Sequence, residues 1–158
     1  FVASASVLDQ PGQITFQLPY DTPVGEARVR VDRDGQRGNT VIVRVNQRVP
    51  RLMVSINDYA VATFADTALP WPATPGVTTR PARRGDTLIF YALGLGPTTP
   101  TVVSGAASPS SPLAEVPRPT FYFGGTGPIG DAATAEPFFA GLTPGFVGLY
   151  QLNVVVPD

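Results

Sequence analysis

Proline and glycine are spread along the whole chain, 18 and 16 of them among 158 residues. Proline ends helices because it removes a backbone donor, and glycine favours turns, so long regular elements have little room. Between them lie short runs in which polar and apolar residues alternate, the pattern of half-buried strands. The sequence therefore predicts an all-β protein with almost no helix, made of antiparallel sheets packed face to face.

The clearest alternation flanks a turn signal. Glu26–Asp32 and Thr40–Val45 alternate on either side of Asp34-Gly35. Asp-Gly suits a two-residue hairpin turn because both central positions of that turn need positive φ. The alternation directs the small apolar side chains of the first strand inward: Ala27, Val29 and Val31.

A central strand is predicted at Thr87–Leu93, which has too few polar residues for a sheet edge. Two loops are expected: a Pro-rich one at Leu69–Pro81 and a long ordered one at Gly94–Pro119. Asp131–Glu136 predicts one turn of helix at most, because Pro137 stops it. The further predicted strands are Gln13–Leu18, Leu52–Ile56, Tyr59–Phe64, Thr120–Phe123, Phe138–Ala140 and Leu149–Val156.

The ionisable side chains exclude several kinds of chemistry. The chain has eleven Arg but no Lys, His or Cys, and its net charge is −1. A Ser-His-Asp triad, a cysteine nucleophile and an ordinary zinc or copper site all need residues that are missing. A Schiff base and a P-loop need lysine. We expect no cofactor, no nucleic-acid partner and no membrane span, since no apolar run approaches about 20 residues.

Gly125–Gly130 spells the glycine spacing of a dinucleotide-binding loop. That loop works only where a helix N-terminus follows and directs its amides at a pyrophosphate. Here Pro128 interrupts the motif, and Pro137 would end any helix within two turns. The spacing therefore favours a turn.

Asp32–Gly35 is similar to the start of a calcium loop. Calcium sites need six or more oxygens, usually including a glutamate at the twelfth position. That position is Val43, so a tight hairpin is favoured, and a weak site completed by distant carboxylates stays open.

A ligand surface is conceivable on the hairpin. Seven of the eleven arginines fall between Arg28 and Arg51, and alternation puts several on one outward face that would suit an acidic polysaccharide. Three hairpin carboxylates oppose this by neutralising the face: Glu26, Asp32 and Asp34. Trp71, between two prolines, is the aromatic expected to be exposed, whereas the strand tyrosines Tyr91 and Tyr150 are expected to pack. The candidate surface is Trp71, Arg28, Arg30 and Arg44.

An internal repeat relates two parts of the chain. Ile14–Pro19 matches Leu152–Pro157, and a Pro-Gly pair precedes each copy. The repeat predicts that residues 1–48 are the C-terminal part of a first module. Residues 49–158 are then a second module without its last hairpin. We expect residues 1–48 to pack against a large apolar surface, of residues 50–158 or of another molecule.

Several longer motifs carry a resemblance to a known family: Arg83–Pro97, Ser104–Pro109 with Ser111–Ala114, Phe139–Asn153 and Pro11–Pro19. Together they resemble the uncharacterised C-terminal domain of exported acidobacterial (Solibacter-type) proteins. The resemblance implies secretion or cell-surface location and tandem immunoglobulin-like or TIG-like β-sandwich modules behind variable N-terminal regions. It brings no catalytic residues. The insert Gly125–Ala135 departs from the family by lengthening a hairpin that is usually tight.

Three hypotheses for function follow. The first is a non-catalytic extracellular immunoglobulin-like module for adhesion, spacing or display in a larger secreted bacterial protein. Its partners would be the other domains of that protein, or a second copy through exposed strands. The second is a carbohydrate-binding module, and the third is a glycoside hydrolase with a carboxylate pair, the minimal catalytic set of that class.

Overall fold

The strand predicted at Thr87–Leu93 forms with these bounds and is labelled β7. This computed structural model describes residues 5–6 (by their backbone alone), 14–55, 58–124 and 132–158. Within these residues, β7 lies inside the largest sheet. Its burial alternates, with Leu88, Phe90 and Ala92 buried on one face. The prediction of a central strand is confirmed, because β7 has hydrogen-bonded neighbours on both sides.

The largest sheet has five antiparallel strands. Its path runs β10 (Phe139–Leu142), β11 (Tyr150–Val155), β7 and β5 (Arg51–Leu52), and β6 (Ala62–Thr63) also pairs with β7. Phe90 on β7 stands opposite Leu152 on β11, and the two belong to the buried face. The sheet therefore buries one continuous apolar face.

A second layer covers that face. β8 (Phe121–Phe123) pairs with β9 (Ala133–Ala135), and two phenylalanines of β8 contact Phe90. The ring centroids of Phe90 and Phe121 are 5.2 Å apart, and those of Phe90 and Phe123 are 6.3 Å apart. Aromatic pairs at such distances add packing energy beyond the area they bury. The described residues thus form an all-β, sandwich-like body without helix.

The long loop from Gly94 to Pro119 is ordered, as predicted, and it forms part of the sheet edge. The amide of Val116 donates to the carbonyl of Ala140 at 2.9 Å, and that of Leu142 donates to Ala114 at 2.8 Å. The loop therefore covers the outer edge of β10, which would otherwise expose unpaired backbone groups.

The N-terminal part contributes two hairpins. β1 (Ala5–Ser6) pairs with β2 (Thr15–Phe16), and β3 (Gly25–Arg33) pairs with β4 (Gln36–Val45). Asp34 and Gly35 form the predicted two-residue turn, with φ of 51° and 76°. The β3–β4 hairpin is confirmed, and it is longer than the alternation alone indicated.

Several sequence predictions are corrected by the structure. The helical turn predicted at Asp131–Glu136 is wrong for the described part of that segment, because Ala133–Ala135 is strand β9. Small residues adopt a strand here since β8 supplies their hydrogen-bond partners. The strand predicted at Gln13–Leu18 is reduced to Thr15–Phe16 in the described residues, and Tyr59–Phe64 contributes only Ala62–Thr63.

No helix of the described residues is long and apolar enough to cross a membrane.

Candidate functional site

The three predicted surface arginines share one face of the β3–β4 hairpin. Cross-strand pairs put Glu26 opposite Arg44, Arg28 opposite Ile42 and Arg30 opposite Thr40. These residues form what we call the arginine face: Glu26, Arg28, Arg30, Thr40, Ile42 and Arg44. Arg28 and Arg30 line a shallow depression of about 600 Å³ on it.

Carboxylates of the hairpin neutralise part of the positive charge of these arginines. The Nε and Nη2 atoms of Arg30 donate to the two carboxylate oxygens of Asp32 at 2.7 and 2.9 Å. This hydrogen-bonded pair raises the pKa of Arg30. At the tip, Arg33 Nε lies 3.4 Å from Asp34 Oδ2. The arginine face therefore offers less free charge to an anion than its arginine content suggests.

Trp71 has a structural contact of its own and is outside the residues that line the arginine depression. Its Nε1 donates to the carbonyl of Ala60 at 3.2 Å, and its ring centroid lies 6.0 Å from that of Tyr59. The indole is half-buried, so the expected exposure is wrong in part. Its polar edge is used within the fold, as is usual for a partly buried tryptophan.

The tyrosines of the strands have different environments. Tyr150 is buried, and its hydroxyl donates to the carbonyl of Gly96. Burial raises the pKa of Tyr150, and it also raises the pKa of Tyr20. Tyr91 is half-buried, whereas Tyr122 is 55% exposed. The packing expected for Tyr91 and Tyr150 is therefore confirmed.

The hairpin carboxylates at the start of the calcium-like motif lie beside arginines. Asp32 and Asp34 pair with arginines, and the twelfth position, Val43, lies in β4. Among the described residues, no group of three or more Asp and Glu is placed to hold a metal ion. Gly125–Gly130 lies outside the described residues, and the strands on either side of it, β8 and β9, pair with each other.

The opposite face of the hairpin carries the valines. Cross-strand pairs put Val29 opposite Val41 and Ala27 opposite Val43. We call the set Val29, Val31, Val41, Val43 and Val45 the valine face, in which Val31 lies at a register shift between Arg30 and Asp32 and has no cross-strand partner. Val45, at the base, is 8% exposed, but Val41 and Val31, towards the tip, are 50% and 51% exposed. The expected covering of this face is thus present at the base and missing at the tip.

Val45 also lines a cleft of about 500 Å³ between the hairpin base and the body. Aliphatic side chains on its walls are exposed, including Val24, Val49 and Leu93 at 66%, 54% and 48%. The cleft thus begins at Val45, where the valine face meets the body. The cleft residues could not be inferred from the sequence, because their proximity depends on contacts between distant segments.

Hydrogen bonds fasten the segments on either side of the hairpin to the body. Gly105 N donates to Gln17 Oε1 at 2.7 Å, and Tyr20 N donates to Ser104 Oγ at 2.9 Å. Val49 N donates to Gly94 O at 2.9 Å. The body residues of this junction fall within the motifs Arg83–Pro97 and Ser104–Pro109, so both motifs supply hydrogen-bond partners to it.

Glycine makes the close approach at this junction possible. Gly94 has a φ of 72°, and a methyl group there would overlap the carbonyl oxygen of Val49. At Gly148, φ is 66° and a methyl group would press on the side chain of Gln17, with its nearest atom at 3.2 Å. Only glycine adopts such backbone conformations without strain.

A scan against protein-family models, a search of curated proteins and a search of solved structures each return no match for this chain. The fold and the hairpin surface define it as an all-β, sandwich-like protein with an apolar hairpin face that is open at its tip.

Proposed function

We propose that this chain is a non-catalytic immunoglobulin-like accessory module of a larger secreted bacterial protein, which it serves in adhesion, spacing or display. The observation that carries the proposal is the β3–β4 hairpin, whose flanking segment is fastened to the body and whose valine face is open at the tip. A sheet face of β-branched residues is normally buried against a second layer. An open one is typical of a surface that a partner covers.

The sandwich-like body supports the immunoglobulin-like assignment. Its strands are antiparallel, and the buried residues of β7 and β11 alternate with residues that face outward. A second layer, which includes β8, packs on that buried face through Phe121. Immunoglobulin-like folds have these features, with about seven strands in two sheets.

The carboxylates with defined contacts support a non-catalytic role. Asp86 accepts two hydrogen bonds from Arg80, Asp32 accepts two from Arg30, and Asp66 accepts one from the amide of Ala68. Each of these groups stabilises its own turn or strand. A hydrolytic pair needs instead two carboxylates on either side of a bound sugar.

Binding of an acidic polysaccharide is a second candidate, favoured by the depression that Arg28 and Arg30 line. The pairing of Arg30 with Asp32 weakens this candidate. We rank it below the accessory module because the valine face has no ionisable residue, whereas carboxylates already neutralise part of the charge of the arginine face.

The parent protein provides the test. A parent without residues 1–158, and one with Val41→Asp, should keep any catalytic activity but lose surface attachment or assembly. Ile42→Asp is the matched control, because Ile42 is the next residue on β4, is 62% exposed and faces the other way. Turnover of a glycoside by the purified 158-residue chain, abolished by a carboxylate substitution, would contradict the proposal.

A further inference from the structure

The valine face identifies the chemistry of its partner. Among its strand pairs Ala27–Val43, Val29–Val41 and Gly25–Val45, no residue is ionisable. All side chains on these pairs are aliphatic or absent, and β-branched residues are typical of the inner faces of sandwiches. The surface that covers them must therefore be apolar and sheet-like.

A second copy of the hairpin has this chemistry, and charge determines how it can approach. Stacking of two valine faces leaves Arg28, Arg30 and Arg44 of both copies on the outside, in water. Edge-to-edge pairing of two β3 strands centred on Val29 would instead place Arg28 of one copy opposite Arg30 of the other. Like charges directly opposite each other destabilise a sheet, so that register is disfavoured, whereas stacking face to face keeps the arginines of the two copies apart.

The available area is sufficient for a weak interface. A nine-residue ribbon of two strands is about 30 Å long and about 10 Å wide, or roughly 300 Å² of face per copy. The cleft beside Val45 extends this surface, because Val24, Val49 and Leu93 are exposed there. Two copies would bury roughly 1,000 Å² in total, near the lower limit for a specific interface.

We propose that two copies of this chain associate through their valine faces, stacked around a two-fold axis. In this arrangement Val31 and Val41 of each hairpin tip lie over the apolar cleft at the base of the other hairpin. A two-fold interface is self-complementary, so each copy contributes one tip to the other copy's cleft and one cleft to the other copy's tip. The proposal rests on the proposed function, in which the hairpin is the interaction surface, and it identifies a second copy as the partner.

Sedimentation velocity of the full chain over about 1–500 µM tests the dimer. We expect reversible dimerisation with a dissociation constant in roughly the 10–500 µM range, as is usual for interfaces of this size. Val41→Glu should raise that constant at least about tenfold, because it puts a charge into an apolar interface. Ile42→Glu should leave it within about twofold, since Ile42 faces the other way. Association should persist in about 1 M NaCl, where attraction between charges is screened.

Circular dichroism and thermal unfolding establish that each variant is folded. If Val41→Glu does not fold, Val41→Thr replaces it, because threonine keeps the shape of valine and has a hydroxyl in place of one methyl group. A chain that stays monomeric at every concentration would overturn the dimer, and so would equal effects of the Val41 and Ile42 variants or dissociation in salt.

A further measurement distinguishes failure of the dimer from failure of the proposed function: the accessibility of the Val41 methyl groups to a soluble nitroxide. A monomer with accessible methyl groups would overturn the dimer alone, since the face would remain open to another partner. A monomer with shielded methyl groups would overturn both the dimer and the hairpin surface on which the proposed function is built.

Discussion

Val41 and Val45 lie four residues apart on the same face of β4, yet Val41 is 50% exposed and Val45 is 8% exposed. The difference arises because the body covers only the base of the hairpin, where Val45 lines the cleft. The same strand thus has a buried end that anchors it and an open end that can be covered by a partner.

The junction should depend on the glycine at position 94. Gly94→Ala adds a methyl group against the carbonyl of Val49, and Gly76→Ala is its control, with similar φ but open space around it. Gly76→Ala should lower the free energy of unfolding by about 1–2 kcal/mol, for backbone strain alone. Gly94→Ala should lower it by about 1–3 kcal/mol more. Urea unfolding measures both, and equal losses would show that the close approach is absent.

The aromatic cluster should dominate the stability of the body. Phe90→Ala removes a buried ring that contacts Phe121 and Phe123, so it should cost about 3–5 kcal/mol of unfolding free energy. Tyr122→Ala, between the two β8 phenylalanines but 55% exposed, should cost less than about 1 kcal/mol. Chemical denaturation distinguishes the two, and a large loss for Tyr122→Ala would contradict this assignment of the core.

Asp86 should make stability depend on pH in the acid range. Hydrogen bonds from Arg80 and from the amide of Arg83 lower the pKa of Asp86 to about 2. Because the folded-state pKa is below that of the unfolded chain, about 4, the ionised pair stabilises the fold above pH 4. That contribution declines as the pH falls towards 2.

Thermal unfolding of the wild type and Asp86→Asn from pH 7 to pH 2 measures this effect. The wild type should have the higher Tm at pH 7, and the difference should disappear towards pH 2. Arg80 also lies over the ring of Phe64, with its guanidinium carbon 3.6 Å from the ring centroid. A difference in Tm that persists at pH 2 would mean that Asp86 acts through something other than its charge.

Polysaccharide binding by the arginine face should be weak. Arg30 is held by Asp32, and Arg44 stands opposite Glu26. Calorimetric titration with acidic and neutral polysaccharides should give affinities no tighter than about 1 mM, as expected of partly neutralised surface charges. Micromolar binding that is lost in Arg30→Ala or Trp71→Ala would favour the carbohydrate-binding function instead.

The sequence predicted the elements whose signals are local. Thr87–Leu93 is apolar enough to be central, and Asp34-Gly35 specifies a two-residue turn. β9 was missed because Ala133–Ala135 has no strand signal of its own and depends on pairing with β8. Tertiary contacts often override such weak local preferences.

The candidate surface was predictable only in part, for a related reason. Alternation assigned Arg28, Arg30 and Arg44 to one face and the valines to the other, and the register agrees except at Val31, where it shifts. Alternation does not specify what lies above a face, so the exposure of Val31 could not be inferred. Trp71 was expected to be exposed from its flanking prolines, but its hydrogen bond to Ala60 depends on the fold.

The central claim is that the hairpin is anchored at its base and open at its tip. Methyl NMR of a dilute sample with a soluble nitroxide tests it most directly, since the nitroxide broadens only methyl signals that it can approach. We predict strong broadening for Val31 and Val41, and sharp signals for Val45 and for Val154, which is fully buried in the body. Signals of Val31 and Val41 as sharp as those of Val154 would contradict the account.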